Sequence, residues 1–424
     1  MSNIKQLGTF DVENYGDLLY PVVFRRALEA RDPRLGLRAY SPLAGRAPQS
    51  AGFETRAARD LFGPRRARAD ARADSDGPAG VDRLVVGGGD ILRTDRDTLA
   101  AHYVRDGRGR AGRLLREAGA AGALGYLALR GVAGWRAERL RARAFARRWL
   151  GYAGAGPFLV DPERLPGGGA VCYLSCGVPH DFAPEERGEV ARVFERARFV
   201  YVRDEQSAEK LRRCGVRREL HVAPDLVVLL GGQLERGAEA AKGRALLAKL
   251  GVTDGAPVLC FQSKPYPGFD AAEVARHLAL QRRRTGAEIV LLPLGRCHGD
   301  EEFLRRVAEA SGGVFKYADA RAVSDAVSVI AACDLFVGTS LHGNVTAFSF
   351  GIPHLSGPLP ADKTEGFLRS VDLPVSLRLD SWGELGEKIE LAAGLGPEFF
   401  AVRAAVARAR VSRAVDGLLD ALLG

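Results

Sequence analysis

Short apolar runs alternate with amphipathic stretches along most of this chain. The runs are LVVGGG at 84–89, AVCYLSCG at 170–177, RFVYVRD at 198–204, PVLCFQS at 257–263, EIVLLPLG at 288–295 and DLFVGTS at 334–340. Each is rich in contiguous Val, Leu and Ile instead of alternating with polar residues, the pattern of strands covered on both faces. Between them, APEERGEVARVFERA, EQSAEKLRRCG, AAEVARHLALQRRR and DEEFLRRVAEA place apolar residues at three- and four-residue spacing, the period of helices lying against a sheet. The pattern predicts an α/β protein with parallel sheets and helices on both faces.

The strand–helix unit recurs from about 1 to 230 and again from about 255 to 360. We therefore expect two Rossmann-like, doubly wound domains facing one another, at 1–235 and 252–380. The stretch GGQLERGAEAAKGRALLAKLGVTDGAP between them reads as the connection. Residues 382–424 read as C-terminal helices that pack back across both domains. One segment breaks the alternation. From about 93 to 150 the chain is rich in Arg, Ala and Gly, and reads as a helical insertion. Its basic, Trp-bearing surface is either a solvated face or a contact for anionic lipid and a lipid-linked acceptor.

Composition narrows the class. Of 424 residues, 46% are hydrophobic and 27% charged, ordinary for a globular protein with more than one core. The net charge of +9 allows anionic partners, but abundant Arg and Ala beside scarce Lys and Met fit a GC-rich coding bias, and no nucleic-acid partner is expected. Cys172, Cys176, Cys214, Cys260, Cys297 and Cys333 lack metal-type pairing and sit mostly in apolar runs. Buried free thiols suit a reducing cytoplasm. The start MSNIKQLGTF lacks a signal-peptide core, and no run reaches the roughly 18 apolar residues of a membrane span. The expected location is cytoplasmic, at most at the inner face of the membrane.

Four clusters carry candidate chemistry. In GTFDVENYGDLLYPVVFRRAL (8–28), Asn14, Gly16 and Asp17 stand between a strand and a helix, where they either cap the helix or turn its N–H groups toward a ligand. In VVGGGDIL (85–92), Gly87, Gly88, Gly89 and Asp90 end a strand. That is either a tight turn or a place for a ligand to approach the backbone. In YVRDEQSAEKL (201–211), Arg203 either binds phosphate or carboxylate through its planar fork or pairs structurally with Asp204. In DLFVGTSLHGNVTAFSFGIPHL (334–355), Thr339, Ser340 and His342 occupy a strand-to-helix turn. A histidine there is placed to meet an anion and move a proton. Cys297, His298 and Asp300 in LGRCHGDEE read as a helix N-cap, and no metal site is expected.

Taken in order, these motifs resemble the polysaccharide pyruvyl transferase family. The matching residues are Asn14-Tyr15-Gly16-Asp17, Gly87-Gly88-Gly89, Arg203-Asp204 with Ser207, Pro224-Asp225, Leu341-His342-Gly343 and Gly351-Ile352-Pro353. The resemblance implies a glycosyltransferase-B-like pair of domains, the first on the acceptor side and the second on the donor side. It implies transfer of the enolpyruvyl unit of phosphoenolpyruvate onto two hydroxyls of a glycan or lipid-linked saccharide, forming a pyruvate ketal without a cofactor. It makes His342 the acid or a donor ligand, places Arg203, Ser340 and Leu341 at the donor, and assigns the Asn14–Asp17 and Gly88–Asp90 loops to the acceptor side. The chain departs from the family at Ser340, where relatives commonly carry Arg. We expect Lys264 or Arg296, each following a strand of the second domain, to supply the missing charge. Two other readings stay open: a nucleotide-sugar glycosyltransferase on the same fold, and a non-catalytic sugar-binding relative.

Overall fold

Two all-parallel sheets organise the protein in the computed structural model, which describes residues 3–42, 51–62, 83–93, 158–165, 169–359 and 362–424. The first contains β1 (Asn3–Leu7), β2 (Gly36–Ser41), β3 (Thr55–Ala57), β4 (Arg83–Gly87), β5 (Ala170–Cys176), β6 (Phe199–Val202) and β7 (His221–Val222), in the order β3-β2-β1-β4-β5-β6-β7. The second contains β8 (Val258–Gln262), β9 (Glu288–Leu291), β10 (Lys316–Tyr317), β11 (Leu335–Gly338) and β12 (His354–Ser356), in the order β10-β9-β8-β11-β12. Each apolar run singled out above forms a strand. β5, β6 and β8 are buried along their whole length, the cost-free position for unbroken Val and Leu.

The longer helices are α1 (Tyr15–Arg31), α2 (Pro184–Arg196), α3 (Glu205–Arg213), α4 (Arg236–Ala248), α5 (Ala271–Thr285), α6 (Asp300–Ala310), α7 (Val323–Ala331), α8 (Leu341–Ser349), α9 (Asp362–Ser370) and α10 (Leu385–Leu423). In each sheet the strand order reverses beside the first strand, between β1 and β4 and between β8 and β11. Parallel pairing brings Leu7 level with Val86, and Gly338 level with Gln262. The loops leaving β1 and β4 therefore emerge together, as do those leaving β8 and β11. In open α/β sheets such reversal points form ligand crevices at the strands' carboxyl ends.

The two crevices meet. The Tyr15 N–H donates to the Leu294 carbonyl at 2.9 Å and the Cys297 N–H to the Glu13 carbonyl at 3.2 Å, while the Tyr15 and Thr346 hydroxyls hydrogen-bond at 2.8 Å. One apolar core runs continuously from α1 and β1 through both sheets to α10, and a second lies on the other face of the first sheet around Val86, Tyr173 and Val200. α10 is kinked at Gly396, whose φ of 74° is non-helical, just before Pro397, a residue pair that breaks the helical ladder. It touches both halves: Glu390 pairs with Arg284, Arg410 donates to the Ser370 carbonyl, Gly417 lies against Phe199 and Asp420 pairs with Arg31.

The stretch read as a connection is largely helix. Ala, Glu, Lys and Leu favour it, and α4 packs on α7 through Gly243, where a Cβ would lie 2.0 Å from the Ser328 carbonyl oxygen. The Arg-rich stretch at about 93–150 falls almost wholly outside the described residues. Among the described residues, no helix is long and apolar enough to cross a membrane. All six cysteines are free.

Candidate active site between the two sheets

Loops from the first sheet build one wall. After β1, Asn14 caps α1 only by position. Its side chain makes no capping bond and instead donates to Asp17 Oδ2 at 2.8 Å. After β4, Gly88 (φ 138°) and Gly89 (φ 71°) turn the chain in conformations that disfavour a side chain, and Asp90 follows. β5 carries a register irregularity between Tyr173 and Cys176, with Ser175 held at φ 52°. A bulge of this kind re-aims side chains beside a site. Here it lets Ser175 Oγ accept the Leu226 N–H at 2.9 Å. The Tyr201 hydroxyl donates to the Pro224 carbonyl. Together these bonds pin the Pro224-Asp225 turn.

Loops from the second sheet build the other wall. The Ser340 side chain caps α8 by accepting the Gly343 N–H at 3.2 Å, and its own N–H donates to Gln262 Oε1 at 2.7 Å. Gln262 Nε2 in turn donates to Asp300 Oδ2 at 2.5 Å, which also accepts the Gly295 N–H at 2.8 Å. Asp300 thus folds back onto the preceding loop instead of capping its helix. Burial pushes its carboxyl up to about 6, although its hydrogen bonds and Lys264 oppose this. Leu341 is buried in the core at the start of α8.

His342 is 8% exposed and lies where the two walls touch. Its Nε2 stands 3.5 Å from Asp225 Oδ2. That oxygen also accepts the Tyr20 hydroxyl at 2.7 Å, and the Tyr20 ring packs edge-on to the imidazole with centroids 5.6 Å apart. A Cβ on Gly16 would fall 1.9 Å from His342 Nδ1, and one on Gly89 would fall 3.9 Å from Cε1. The two glycine motifs are therefore the surface against which the imidazole rests. Burial works to raise the Asp225 carboxyl, but His342, Arg203 and the Val227 N–H outweigh it and hold the group below the ordinary carboxylate range. The same balance keeps the Tyr20 hydroxyl protonated, since burial and the Asp225 charge push it far up.

Arg203, with its side chain only 6% exposed, lies among acids. It is bonded to Asp90, stands 3.5 Å from Asp204 and 3.8 Å from Asp225, and its Nη1 has no hydrogen-bond partner among the described residues. Burial opposes its charge, yet the carboxylates of Asp90, Asp204 and Asp225 hold the guanidinium above its usual value. Asp204 caps α3 through the Ser207 N–H. Asp90 also takes an ion pair from Lys363, at 2.9 Å. Burial raises Asp90, but Arg203, Lys363 and His342 drive it well below the normal range.

The two cations expected to replace a guanidinium at Ser340 part company. Arg296 is committed to Glu301 at 2.7 Å and Asp319 at 2.6 Å, acids of its own half, so its fork is already filled. Lys264 is partly buried, its N–H donates to Thr339 Oγ1, and burial followed by the charge of Lys363 pulls its ammonium down. Its ammonium is thus near enough to Lys363 to feel that charge. Tyr20, Gln262 and Lys363 are site residues that our sequence reading did not name, and Asp300 was read there only as part of a helix N-cap. Asp225 was legible in the P-D pair. Lys363 carries no local signal.

Paired Rossmann-like sheets meeting at their reversal points define a protein of the glycosyltransferase-B-like class. Solved structures bear this out. The chain is similar to a UDP-GlcNAc 2-epimerase from Neisseria meningitidis bound to UDP-GlcNAc (11% identity, 100% of each chain covered, TM-score 0.53). It is similar to a glycosyltransferase from Rickettsia africae (10% identity, 99% of this chain and 97% of that one, TM-score 0.51). At these identities the likeness shows the fold alone. No curated protein sequence matches the chain. The family model of polysaccharide pyruvyl transferase matches residues 147–356. The matched segment contains Arg203, Asp225 and His342. The match supports a transferase that modifies glycans.

Proposed function

We propose that this protein transfers the enolpyruvyl group of phosphoenolpyruvate onto two hydroxyls of one saccharide, forming a pyruvate ketal and releasing phosphate. The observation that carries the reading is the buried His342–Asp225 pair with Arg203 3.8 Å from the same carboxylate, all three within the segment that matches the pyruvyl transferase family model. The chemistry needs an acid and cations. His342 delivers a proton to C3 of the enol, C2 becomes electrophilic, and the first hydroxyl adds there while losing its proton. The C2–O bond to phosphate then breaks and the second hydroxyl closes the ketal. Asp225 stabilises the imidazolium before transfer and orients the ring, as a carboxylate does for a catalytic histidine. Nδ1, on the Gly16 side, is the nitrogen we assign to the transfer, because Nε2 faces Asp225.

We assign the first sheet's Asn14–Asp17 and Gly88–Asp90 loops to the acceptor side and the second sheet to the donor side. Arg203, Lys264 and the N–H groups at the start of α8 balance the donor's anionic groups. The test is release of phosphate from phosphoenolpyruvate with a panel of saccharides, with mass and NMR analysis of the product. Saccharide-dependent phosphate release and a ketal carbon support the proposal. Turnover of a UDP-sugar with no use of phosphoenolpyruvate would replace it with glycosyl transfer.

A further inference from the structure

Lys363, on α9, forms an ion pair with Asp90 of the first sheet's loops. α9 belongs to the second half, following β12, yet it lies against the corner after β6. A Cβ at Gly366 would fall 3.7 Å from Asp204 Oδ2 and 3.5 Å from Gln206 Oε1. From that seat the Lys363 ammonium reaches Asp90 Oδ2 at 2.9 Å, and the other oxygen of that carboxylate holds Arg203. The two cations differ in access. The Arg203 side chain is 6% exposed and enclosed by Asp90, Asp204 and Asp225, whereas the Lys363 side chain is 54% exposed. An ammonium carries three donors. One is used by Asp90, leaving two for a ligand. Burial, followed by the charge of Lys363, pulls the Lys264 ammonium down, so a second cation of the same half acts on this region.

We propose that Lys363 is a binding residue for the anionic donor, held in place by Asp90 and closing α9 over the ligand from the second half onto the first. The Asp90 carboxylate is partly buried and kept ionised by Arg203 and Lys363, so it is a fixed anchor. The Lys363 ammonium then bridges that anchor and an oxygen of the donor's carboxylate or phosphate. The inference rests on phosphoenolpyruvate being the donor, as proposed above.

Calorimetric titration of the full-length protein with phosphoenolpyruvate tests it, using wild type, Lys363→Ala and Lys363→Arg. Loss of one charge-assisted contact should weaken binding by roughly 10- to 100-fold in Lys363→Ala, with Lys363→Arg retaining most of the affinity. The ligand-free melting temperatures of all three should agree, because a half-exposed ion pair adds little to stability. Unchanged affinity in Lys363→Ala overturns the proposal. Equal loss in both variants also overturns it, since the shape of α9 and not its charge would then matter. A wild-type protein that does not bind phosphoenolpyruvate at all overturns the donor assignment and this inference with it, whereas the first two results leave the donor assignment standing.

Discussion

His342 Nε2 faces Asp225 Oδ2 at 3.5 Å across the boundary between the two sheets, and the same oxygen is held by the Tyr20 hydroxyl. Each partner comes from a different part of the chain: α1, the turn after β7, and the start of α8. If the pair is the proton-delivery machinery, His342→Ala should lower turnover by roughly 10²-fold or more, the scale of general acid–base catalysis. Steady-state assays on the folded variant check this. Near-normal turnover removes His342 from the chemistry.

Asp225→Asn keeps the shape and removes the charge. Turnover should fall by a comparable factor, roughly 10²-fold, because the imidazolium loses its counter-charge. The stability effect has a defined sign. The folded carboxyl lies below its unfolded value of about 3.9, so its contribution is complete above that pH and is lost as pH falls through the folded value. Melting curves from neutral pH down to about pH 3 should therefore show a shallower acid decline in Asp225→Asn than in wild type. Parallel declines would count against the depressed carboxyl.

Asp300 carries the opposite sign. Its carboxyl is pushed up to about 6 by burial, so ionisation weakens the fold progressively as pH rises from about 4 to 6, and the full penalty persists above that. Asp300→Asn imitates the protonated form and retains an oxygen acceptor. Relative to wild type it should gain about 2–3 kcal/mol between pH 4 and pH 8. Denaturant titrations at the two pH values measure it, and a constant difference would contradict the raised carboxyl.

Gly16→Ala tests the packing of the imidazole. The added methyl would meet His342 Nδ1 at 1.9 Å, so the ring must move. A displacement near 1 Å at a catalytic group costs on the order of 10²-fold in rate, and overpacking costs about 1–3 kcal/mol in stability. A variant with wild-type turnover and melting temperature would show that the ring has room that the structure does not give it.

Arg203→Lys separates positioning from simple charge. Lysine keeps the charge but lacks the planar fork that meets Asp90 and Asp204 together. We expect the KM for phosphoenolpyruvate to rise and the melting temperature to fall. A lower melting temperature with an unchanged KM assigns Arg203 to the acid network alone.

Much of this protein was legible from its sequence. The buried runs at 84–87, 170–176, 199–202, 258–262, 288–291 and 335–338 read as strands because a doubly covered strand must be apolar throughout. The short edge strands β3, β7, β10 and β12 did not stand out, since two or three residues at a sheet margin need no apolar run. The stretch after Leu230, rich in Gly, Ala and charge, reads as the connection between the two domains. Packed against α7, Gly243 instead permits the close approach that makes α4 part of the second half.

His342, Arg203 and the glycine loops were also legible, because a strand-to-helix turn constrains residue types locally. What they do to each other was not. Nothing near Gly16 in sequence says that its missing side chain makes room for a ring 326 positions away, from the difference between 16 and 342. Nor does any local pattern say that Lys363 reaches Asp90, that Arg296 is filled by Glu301 and Asp319, or that Asp225 stands behind the histidine. The sequence by itself determined the periodicity, hence the two parallel sheets, and the residue types at each strand's end. Only the tertiary structure decided which ends face one another, because that depends on the crossing of two sheets and on long-range burial, and burial in turn sets which charges are shared and which remain open to a ligand.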